Sequence, residues 1–299
     1  MILFVLVASL AVAGLGLSAY LISAAARSGQ LIPKVEALAL GAVTNFFDTL
    51  GIGSFAPTIA WLRFRRLVED RLIPLTILSG YTIPAILQGV IFLVLLGMKV
   101  DPWLLLACMV AMVVGGYAGV PIAARAPVRL IQAIVGISLL VAAFFYVLSN
   151  IGMMPPGGTA TSLPLVLAVV TVVAHVIFGI LLSFGVGNYA PTLAMLSLMG
   201  MDPRLAFPIM AAAAGFAGTT AAARCIRTVK IDLRLVLGLT LGAIPAVLVA
   251  AFIVKEMPVT LLRWLVVVVV TYAGVTLLTT AARRGKLVPD DAAQTAITD

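Results

Sequence analysis

The sequence predicts an all-α membrane protein, a polytopic helical bundle. It is expected to hold two inverted repeats of about five helical segments each, containing broken or re-entrant helices, plus one extra N-terminal helix. Hydrophobic residues make up 63% of the 299 residues, only 10% are charged, and the mean hydropathy is +1.22, which excludes a water-soluble globular domain. Apolar runs of about 20 residues, long enough to cross about 30 Å of hydrocarbon, recur along most of the chain. One motif also occurs twice, in segments that the predicted topology orients oppositely.

The repeated motif is Gly-x-Gly-x-x-Ala-Pro-Thr. It occurs in "LGIGSFAPTIAWL" from Leu50 and in "FGVGNYAPTLAML" from Phe184, and the two copies lie 134 residues apart. A glycine pair lets the backbone leave helical geometry, and proline suits the first turn of a new helix because no N–H donor is needed there. We therefore predict that a helix breaks and restarts at both places. Since unwound backbone at membrane depth must be buried or line a wet cavity, two facing breaks predict a central cavity.

The helical segments follow from the apolar runs in chain order. The first run, Met1 to Ala24, lacks a basic n-region and is too long for a typical signal-peptide core, so it is predicted to be a retained span. The other predicted segments are 36–50, 51–62, 74–96, 102–122, 128–149, 164–184, 186–199, 205–222, 232–254 and 260–282. The predicted parts are an N-terminal helix and loop (1–35), a first repeat (36–149), an extracytoplasmic linker (150–163), a second repeat (164–282) and a disordered cytoplasmic tail (283–299).

The net charge of +8 comes from basic residues concentrated in short loops. Four clusters stand out, "RFRRLVEDR", "RAPVR", "RCIRTVKIDLR" and "RRGK", and the positive-inside rule places all four in the cytoplasm. This assignment puts the N-terminus outside and the C-terminus inside a multi-pass chain of the cell (inner) membrane, and it explains the charge without nucleic acid. The first hairpin then begins and ends inside, whereas the second begins and ends outside. Inverted repeats of this kind are typical of many secondary transporters.

The two restarted helices would point N–H groups and positive dipole ends into the predicted cavity, which favours a small anion. The candidate substrate-binding residues are Asn45, Thr49, Gly51, Gly53, Ser54, Ala56, Thr58, Gly185, Gly187, Asn188, Tyr189 and Thr192. Valine at Gly51 or Gly187 is expected to block both the break and the ligand. Taken singly, either Gly-x-Gly is better explained by close helix packing, whereas two inverted copies favour a site.

Asp48 and His175 are the strongly ionisable groups within the hairpin runs, and we take them as candidate coupling residues for a proton or another ion. The alternative for His175 is a neutral ring bonded to a backbone carbonyl, and for Asp48 it is a carboxylate that caps a helix break. A carboxylate beside an anion site repels the ligand unless it is protonated. This arrangement fits proton coupling and also fits a cation site.

Several polar residues outside the motif have two interpretations. Tyr81 and Gln88 either face the cavity or bond between helices, and Ser183 adjoins the second break. Arg224 and Arg227 either attract anions to an inner vestibule or only set topology.

No catalytic centre is expected from the chain's reactive residues. Cys108 and Cys225 are expected to be packing residues. With one histidine and few acids, no enzyme, metal or cofactor is predicted, and no Walker A lysine motif supports ATP hydrolysis.

The duplicated Gly-rich hairpin followed by proline, the basic loop after each hairpin and the chain length resemble the TauE/SafE sulfite-exporter-like permeases, also called the four-toluene-sulfonate uptake permease family. The first hairpin, "DTLGIGSFAPT", departs from the family's denser glycine run at Asp48 and Ser54. The resemblance implies alternating-access transport of sulfite, thiosulfate, sulfoacetate or another organosulfonate, coupled to protons or another ion. The expected partners are this anion, the coupling ion and the lipid bilayer, and a homodimer is compatible with the sequence. An anion or cation channel, or a cation-coupled transporter of another small solute, is the alternative.

Overall fold

The computed structural model describes residues 2–50, 53–69, 72–95, 100–123, 128–151, 153, 158–182 and 187–287. Apart from an isolated bridge between Ala160 and Met201, the regular secondary structure of these residues is helical. The helices are α1 (Ile2–Arg27), α2 (Val35–Thr49), α3 (Phe55–Phe64), α4 (Ile73–Leu95), α5 (Pro102–Ala123), α6 (Val128–Asn150), α7 (Leu165–Leu182), α8 (Tyr189–Leu198), α9 (Pro203–Thr228), α10 (Leu233–Glu256) and α11 (Val259–Leu287). Six described helices are long and apolar enough to cross a membrane, so the chain is a multi-pass membrane protein.

The last helix is longer than predicted. We expected the final span to end at 282 and a disordered tail to begin at 283, but α11 continues to Leu287. The added residues "RRGKL" follow two alanines, and Arg and Lys are good helix formers that also suit the negative end of the helix dipole. Hydrophilic composition therefore did not mark the end of the helix. The rest of the predicted tail, 288–299, lies outside the described residues.

Two helices are too short to span a bilayer. Helices α3 and α8 have 10 residues each, about 15 Å of helix, against about 30 Å of hydrocarbon. Each begins two residues before the proline of the repeated motif, Pro57 and Pro191, so that the proline lies in the first turn, where its missing N–H leaves no bond unmade. The motif therefore coincides with the start of a short helix in both halves of the chain.

The core is formed by α4 and α9, the two most buried of the six candidate spans, which pack against each other. Around them α2 packs on α10, α5 on α7 and α6 on α11, while α1 covers α4 and α9. The α2–α10 and α5–α7 pairs approach closely through glycine. A Cβ at Gly41 would collide with the carbonyl oxygen of Leu239, and one at Gly115 with that of Val176. Small residues let these backbones touch, which is how helices associate in lipid.

Polar contacts tie the start of α2 to the start of α10. The Lys34 ammonium lies 2.6 Å from Asp232, and the Gln30 side chain accepts a 2.7 Å hydrogen bond from the Leu233 amide. Asp232 also caps α10 by accepting from the amides of Arg234 and Leu235. Partial burial acts to raise the pKa of Asp232, but the Lys34 hydrogen bond and the two amide bonds outweigh it, so this pKa lies below its usual value.

Replacing Asp232 with alanine should destabilise the α10 start by about 1 kcal/mol, because the helix loses its N-cap. The readout is the melting temperature of the purified protein in detergent. Asp232→Asn is the matched control, since asparagine is an equally good cap without the charge. Because the carboxylate pKa is lowered on folding, its contribution is present above the ordinary carboxylate pKa and is lost as pH falls through the folded value. Equal melting temperatures for the alanine variant and the unmodified protein would contradict the capping role.

On the other side of the bundle, the loop before α7 joins the loop before α9. The Ala160 amide donates to the Gly200 carbonyl at 3.1 Å, and the Asp202 amide donates to the Ala160 carbonyl at 2.9 Å. The Arg204 guanidinium donates to the Met257 carbonyl, which connects the start of α9 to the end of α10. The ends of α8 and α10 and the starts of α7 and α9 therefore share one face, opposite the face where α2 and α10 begin.

Candidate functional site

The first hairpin places a carboxylate at the start of α3. Helix α2 ends at Thr49, and the chain turns through Gly53, whose φ of 87° is favoured only for glycine. The turn brings the Ser54 amide to 2.7 Å from Asp48 Oδ1. Asp48 therefore accepts a hydrogen bond at the point where α3 begins, where the helix dipole also favours negative charge.

The second hairpin has no carboxylate at the equivalent place. Asn188 is the N-cap of α8, but its side chain makes no capping bond and donates instead to the Met210 carbonyl of α9 at 3.1 Å. Gly187 has no left-handed φ, and a Cβ built on it meets no atom of the described residues within 4 Å. The backbone at 187 therefore does not require the conformation that favours glycine, and that valine at this position blocks the break and the ligand stays a prediction.

Both breaks border one cavity of about 120 Å³. The first break contributes Gly53, Ser54 and Phe55, and the second contributes 187–191. Helices α4, α6, α9 and α11 complete the walls, and Asp48 and the end of α7 reach the same space. The residues that two distant motifs contribute therefore meet at one site.

A buried hydrogen-bonded chain crosses from the first hairpin to the second. Gln88 of α4 donates from Nε2 to Asp48 Oδ2 at 3.1 Å and to Thr49 Oγ1 at 3.0 Å. Its Oε1 accepts from the Tyr189 hydroxyl at 2.5 Å. Gln88 is fully buried, and Asp48 and Tyr189 are only 8% and 6% exposed. Because the amide occupies the gap between two hairpins, both ends of the amide are satisfied only when both hairpins are in place.

A second buried network is confined to the first half of the chain. The Tyr81 hydroxyl lies 2.7 Å from Thr44 Oγ1 and 2.8 Å from Thr58 Oγ1. Thr58 also donates to the Ser54 carbonyl, so it links Tyr81 to the first break. These bonds join α2, α3 and α4 and fix Tyr81 at the cavity wall.

The structure gathers six of the fourteen predicted site residues around the cavity. Six of them line it, namely Asp48, Gly53, Ser54, Gly187, Asn188 and Tyr189. Four are buried close to them in sequence but do not line it, namely Asn45, Thr49, Thr58 and Thr192. Gly51 and Gly185 lie outside the described residues, as does Ser183, and the side chain of Ala56 is outside the described part as well.

His175 does not line the described cavity. It is buried on α7, where its Nδ1 lies 2.8 Å from the Thr171 carbonyl. Since a carbonyl only accepts, the neutral ring carries its hydrogen on Nδ1. Its Nε2 has no partner among the described residues, and its ring packs edge-on against Phe178. This geometry is that of a neutral ring bonded to a backbone carbonyl, the alternative given for His175 above. The coupling role of His175 stays a prediction.

Helix α11 also lines the cavity, and no residue of this helix was predicted to do so. Tyr272, Ala273, Thr276 and Leu277 line the cavity. Tyr272 and Thr276 are four residues apart and therefore lie on one helix face, a weak signal that was available in an otherwise apolar run. Arg224 and Arg227 are exposed at the end of α9 and do not line the cavity.

The cavity is electrostatically simple. Among the described residues that line it, the ionisable groups are Asp48 and the tyrosines Tyr81, Tyr189 and Tyr272, and none is a lysine, arginine or histidine. The motif residues outside the described range, 51–52 and 183–186, are uncharged in sequence. An anion entering this cavity therefore meets one carboxylate and no cationic side chain of the described lining.

Comparisons of the chain with protein-family models, with curated proteins and with solved structures found no match. The resemblance to the TauE/SafE permeases therefore stays a prediction drawn from the repeated hairpin motif. Function has to be argued from the geometry of the cavity and from the packing of the helices.

Proposed function

We propose that this chain is a secondary transporter that carries a small anion through the cavity between its two broken hairpins by alternating access. The observation that carries the proposal is that Gly53 and Gly187, equivalent residues of the two motif copies, border the same cavity. Irregular backbone at membrane depth is tolerated where it lines a cavity. Sites of this kind, at the interface of two repeats, are where many secondary transporters bind substrate.

Helix packing supports an inverted repeat. Exchanging each helix of α2–α6 for its counterpart in α7–α11 preserves the packing: α2 on α10 becomes α7 on α5, and α4–α9 and α6–α11 map onto themselves. Contacts of Gly89 with Ala212 and of Gly218 with Thr82 show that α4 and α9 run antiparallel. Equivalent helices that meet antiparallel are what a pseudo-two-fold axis in the membrane plane requires.

The loop contacts support the proposed orientation. The basic loops before α2 and α10, which the positive-inside rule places in the cytoplasm, are joined through Lys34 and Asp232. The loops assigned to the outside are joined through Ala160 and Gly200. Each contact links segments that the count of membrane crossings puts on the same side, consistent with an external N-terminus and a cytoplasmic C-terminus.

The proposed cargo is a small sulfur-containing anion such as sulfoacetate or another organosulfonate, with sulfite and thiosulfate as inorganic candidates. The chemical class comes from the family resemblance. The cavity contributes the uncapped start of α8 as a positive dipole end and apolar walls that include Leu139, Leu182 and Leu277. Since Asp48 faces the same space, the anion is expected to enter with a proton on that carboxylate.

One observation favours a second candidate, a cation-coupled transporter or channel. Asp48 is the sole carboxylate of the described lining, and no basic side chain accompanies it there. An ionised carboxylate beside hydroxyl and carbonyl oxygens is also a ligand set that hard cations use. Sodium therefore belongs in any test of the proposal.

The test is the melting temperature of the purified protein in detergent with sulfite, thiosulfate, sulfoacetate, taurine, sulfate, chloride, sodium and several carboxylates. A ligand that binds only the folded state raises apparent stability, by about 2.7 kcal/mol at one hundred times its Kd. We expect a selective increase with a sulfur oxyanion or sulfonate, larger at acidic pH. An increase with sodium alone would replace the anion proposal with the cation-coupled one.

A further inference from the structure

Gln88 connects the ionisable residue of the first hairpin to the start of α8. We propose that Gln88 is a coupling residue whose side-chain amide reverses when Asp48 is protonated and thereby releases the Tyr189 hydroxyl into the cavity. This inference rests on the proposed function, because it assigns the step by which proton binding prepares the anion site. It uses the contacts of Asp48, Thr49 and Tyr189 with one amide.

When Asp48 is ionised, the donor and the acceptor of every hydrogen bond around the Gln88 amide are determined. A carboxylate only accepts, so the Gln88 NH₂ must face Asp48 Oδ2, 3.1 Å away. Thr49 donates its hydrogen to the Asn45 carbonyl at 2.7 Å, so its oxygen accepts from the same NH₂. Gln88 Oε1 then faces Tyr189, whose hydroxyl donates to it at 2.5 Å. Each donor meets an acceptor.

Protonation of Asp48 Oδ2 turns it into a donor, and it then faces the Gln88 NH₂ group, which is also a donor. The conflict is removed when the Gln88 amide turns by half a rotation about its last side-chain bond, so that Oε1 accepts from the new Asp48 O–H. The Thr49 hydrogen can then turn from the Asn45 carbonyl to the same oxygen. The Gln88 NH₂ now faces the Tyr189 oxygen, so the Tyr189 hydrogen has lost its acceptor and turns away. The bond from the Ser54 amide to Oδ1 is unchanged, and the only proton gained is the one on Asp48.

The released hydroxyl lies where an anion is expected. Tyr189 is the first residue of α8 and lines the cavity next to Asn188. Protonation of Asp48 therefore removes the negative charge from the cavity and at the same time supplies a hydroxyl donor at the positive end of α8. Proton and anion binding reinforce each other, and by linkage the effect is reciprocal.

Among the described residues, Asp48 is the ionisable group that determines the orientation of the Gln88 amide. The other titratable side chains of the described lining are the phenols of Tyr81 in α4, Tyr189 in α8 and Tyr272 in α11. Among the described side chains of α6, α9 and the end of α7, none that lines the cavity is charged. A pH-dependent change at Tyr189 in the physiological range is thus assigned to Asp48.

The experiment is infrared difference spectroscopy of the purified protein without substrate, between acidic and alkaline pH. Two signals are followed: the C=O stretch of the protonated Asp48 carboxyl, identified by its loss in Asp48→Asn, and the C–O stretch of Tyr189, identified by its loss in Tyr189→Phe. We expect both to titrate with one midpoint. In Gln88→Met, which keeps the length without the amide, the carboxyl signal should persist while the pH-dependent Tyr189 shift is lost.

Two further variants keep the test decisive. Asp48→Asn should hold the Tyr189 band at its acidic position at every pH, which tests the link even if Gln88→Met does not fold. Thr240→Val removes a buried 2.7 Å bond to the Gly80 carbonyl away from the cavity and should leave both signals intact. A Tyr189 band whose position does not change with pH, or that shifts equally in Gln88→Met, overturns the coupling role of Gln88. Since no ligand is added, this result is independent of whether any anion raises the melting temperature.

Discussion

Asparagine in place of Asp48 is expected to abolish proton-driven accumulation while leaving exchange of the anion intact. The variant keeps an oxygen to accept from the Ser54 amide, which lies 2.7 Å from Oδ1, but it never ionises. If one proton accompanies each monoanion, a gradient of one pH unit, about 1.4 kcal/mol, sustains about tenfold accumulation on the alkaline side. The Asp48→Asn protein should equilibrate at about equal concentrations. The measurement is uptake of the anion found in the melting assay into proteoliposomes.

The matched control is Asp232→Asn, the same chemical change at a carboxylate outside the cavity that caps α10. It should accumulate the anion as the unmodified protein does. Counterflow, with the anion on both sides of the membrane, separates coupling from binding. A carrier that has lost only its coupling to protons still exchanges one anion for another. Full accumulation by Asp48→Asn would remove Asp48 from coupling. Accumulation driven by a sodium gradient and lost in the same variant would establish the cation-coupled alternative.

Alanine should lower stability at only one of the two equivalent glycines of the breaks. At Gly53 the φ of 87° is strained for any residue with a Cβ, so Gly53→Ala is expected to destabilise the first hairpin by about 1–2 kcal/mol. The strain acts where Asp48 meets the start of α3, so the rate of anion exchange should fall as well. At Gly187 a Cβ meets no atom of the described part of the chain within 4 Å, so Gly187→Ala should fold normally and act only by narrowing the cavity.

Melting temperature in detergent and counterflow in proteoliposomes check the pair together, each variant serving as the control for the other. The expected pattern is a lower melting temperature for Gly53→Ala alone and a reduced exchange rate in both. Equal loss of stability at the two positions would mean that the second break also depends on a glycine conformation. Full exchange by Gly187→Ala with a bulky sulfonate would place the ligand away from α8.

The helical segments could be predicted because each apolar run must satisfy its own backbone hydrogen bonds in lipid, which leaves helix as the local solution. The starts of α3 and α8 were also readable, since proline in a first turn is a local preference. The extension of α11 to Leu287 was not, because polar composition marks exposure to water and not the end of a helix.

The local sequence around Gln88 does not determine which residues its side chain contacts. Its sequence position allowed either a bond between helices or a place at the cavity, and the structure gives it bonds to both hairpins. Tyr189, one of its partners, lies 101 residues further along the chain. His175, singled out because an ionisable group within an apolar run is unusual, is instead bonded to its own helix at Thr171. Which polar group reaches a cavity depends on helix rotation, which composition does not encode.

By itself, the sequence determined that the chain is a multi-pass helical membrane protein and that equivalent breaks occur near Gly53 and Gly187, because hydrophobicity, glycine freedom and proline geometry act within a few residues. Only the tertiary structure decided that both breaks border one cavity, that α11 supplies Tyr272 to its wall and that Gln88 joins Asp48 to Tyr189. These features arise where α4, α8 and α11 border the same cavity, and side chains from distant segments meet only after helix packing has fixed the position and rotation of each helix.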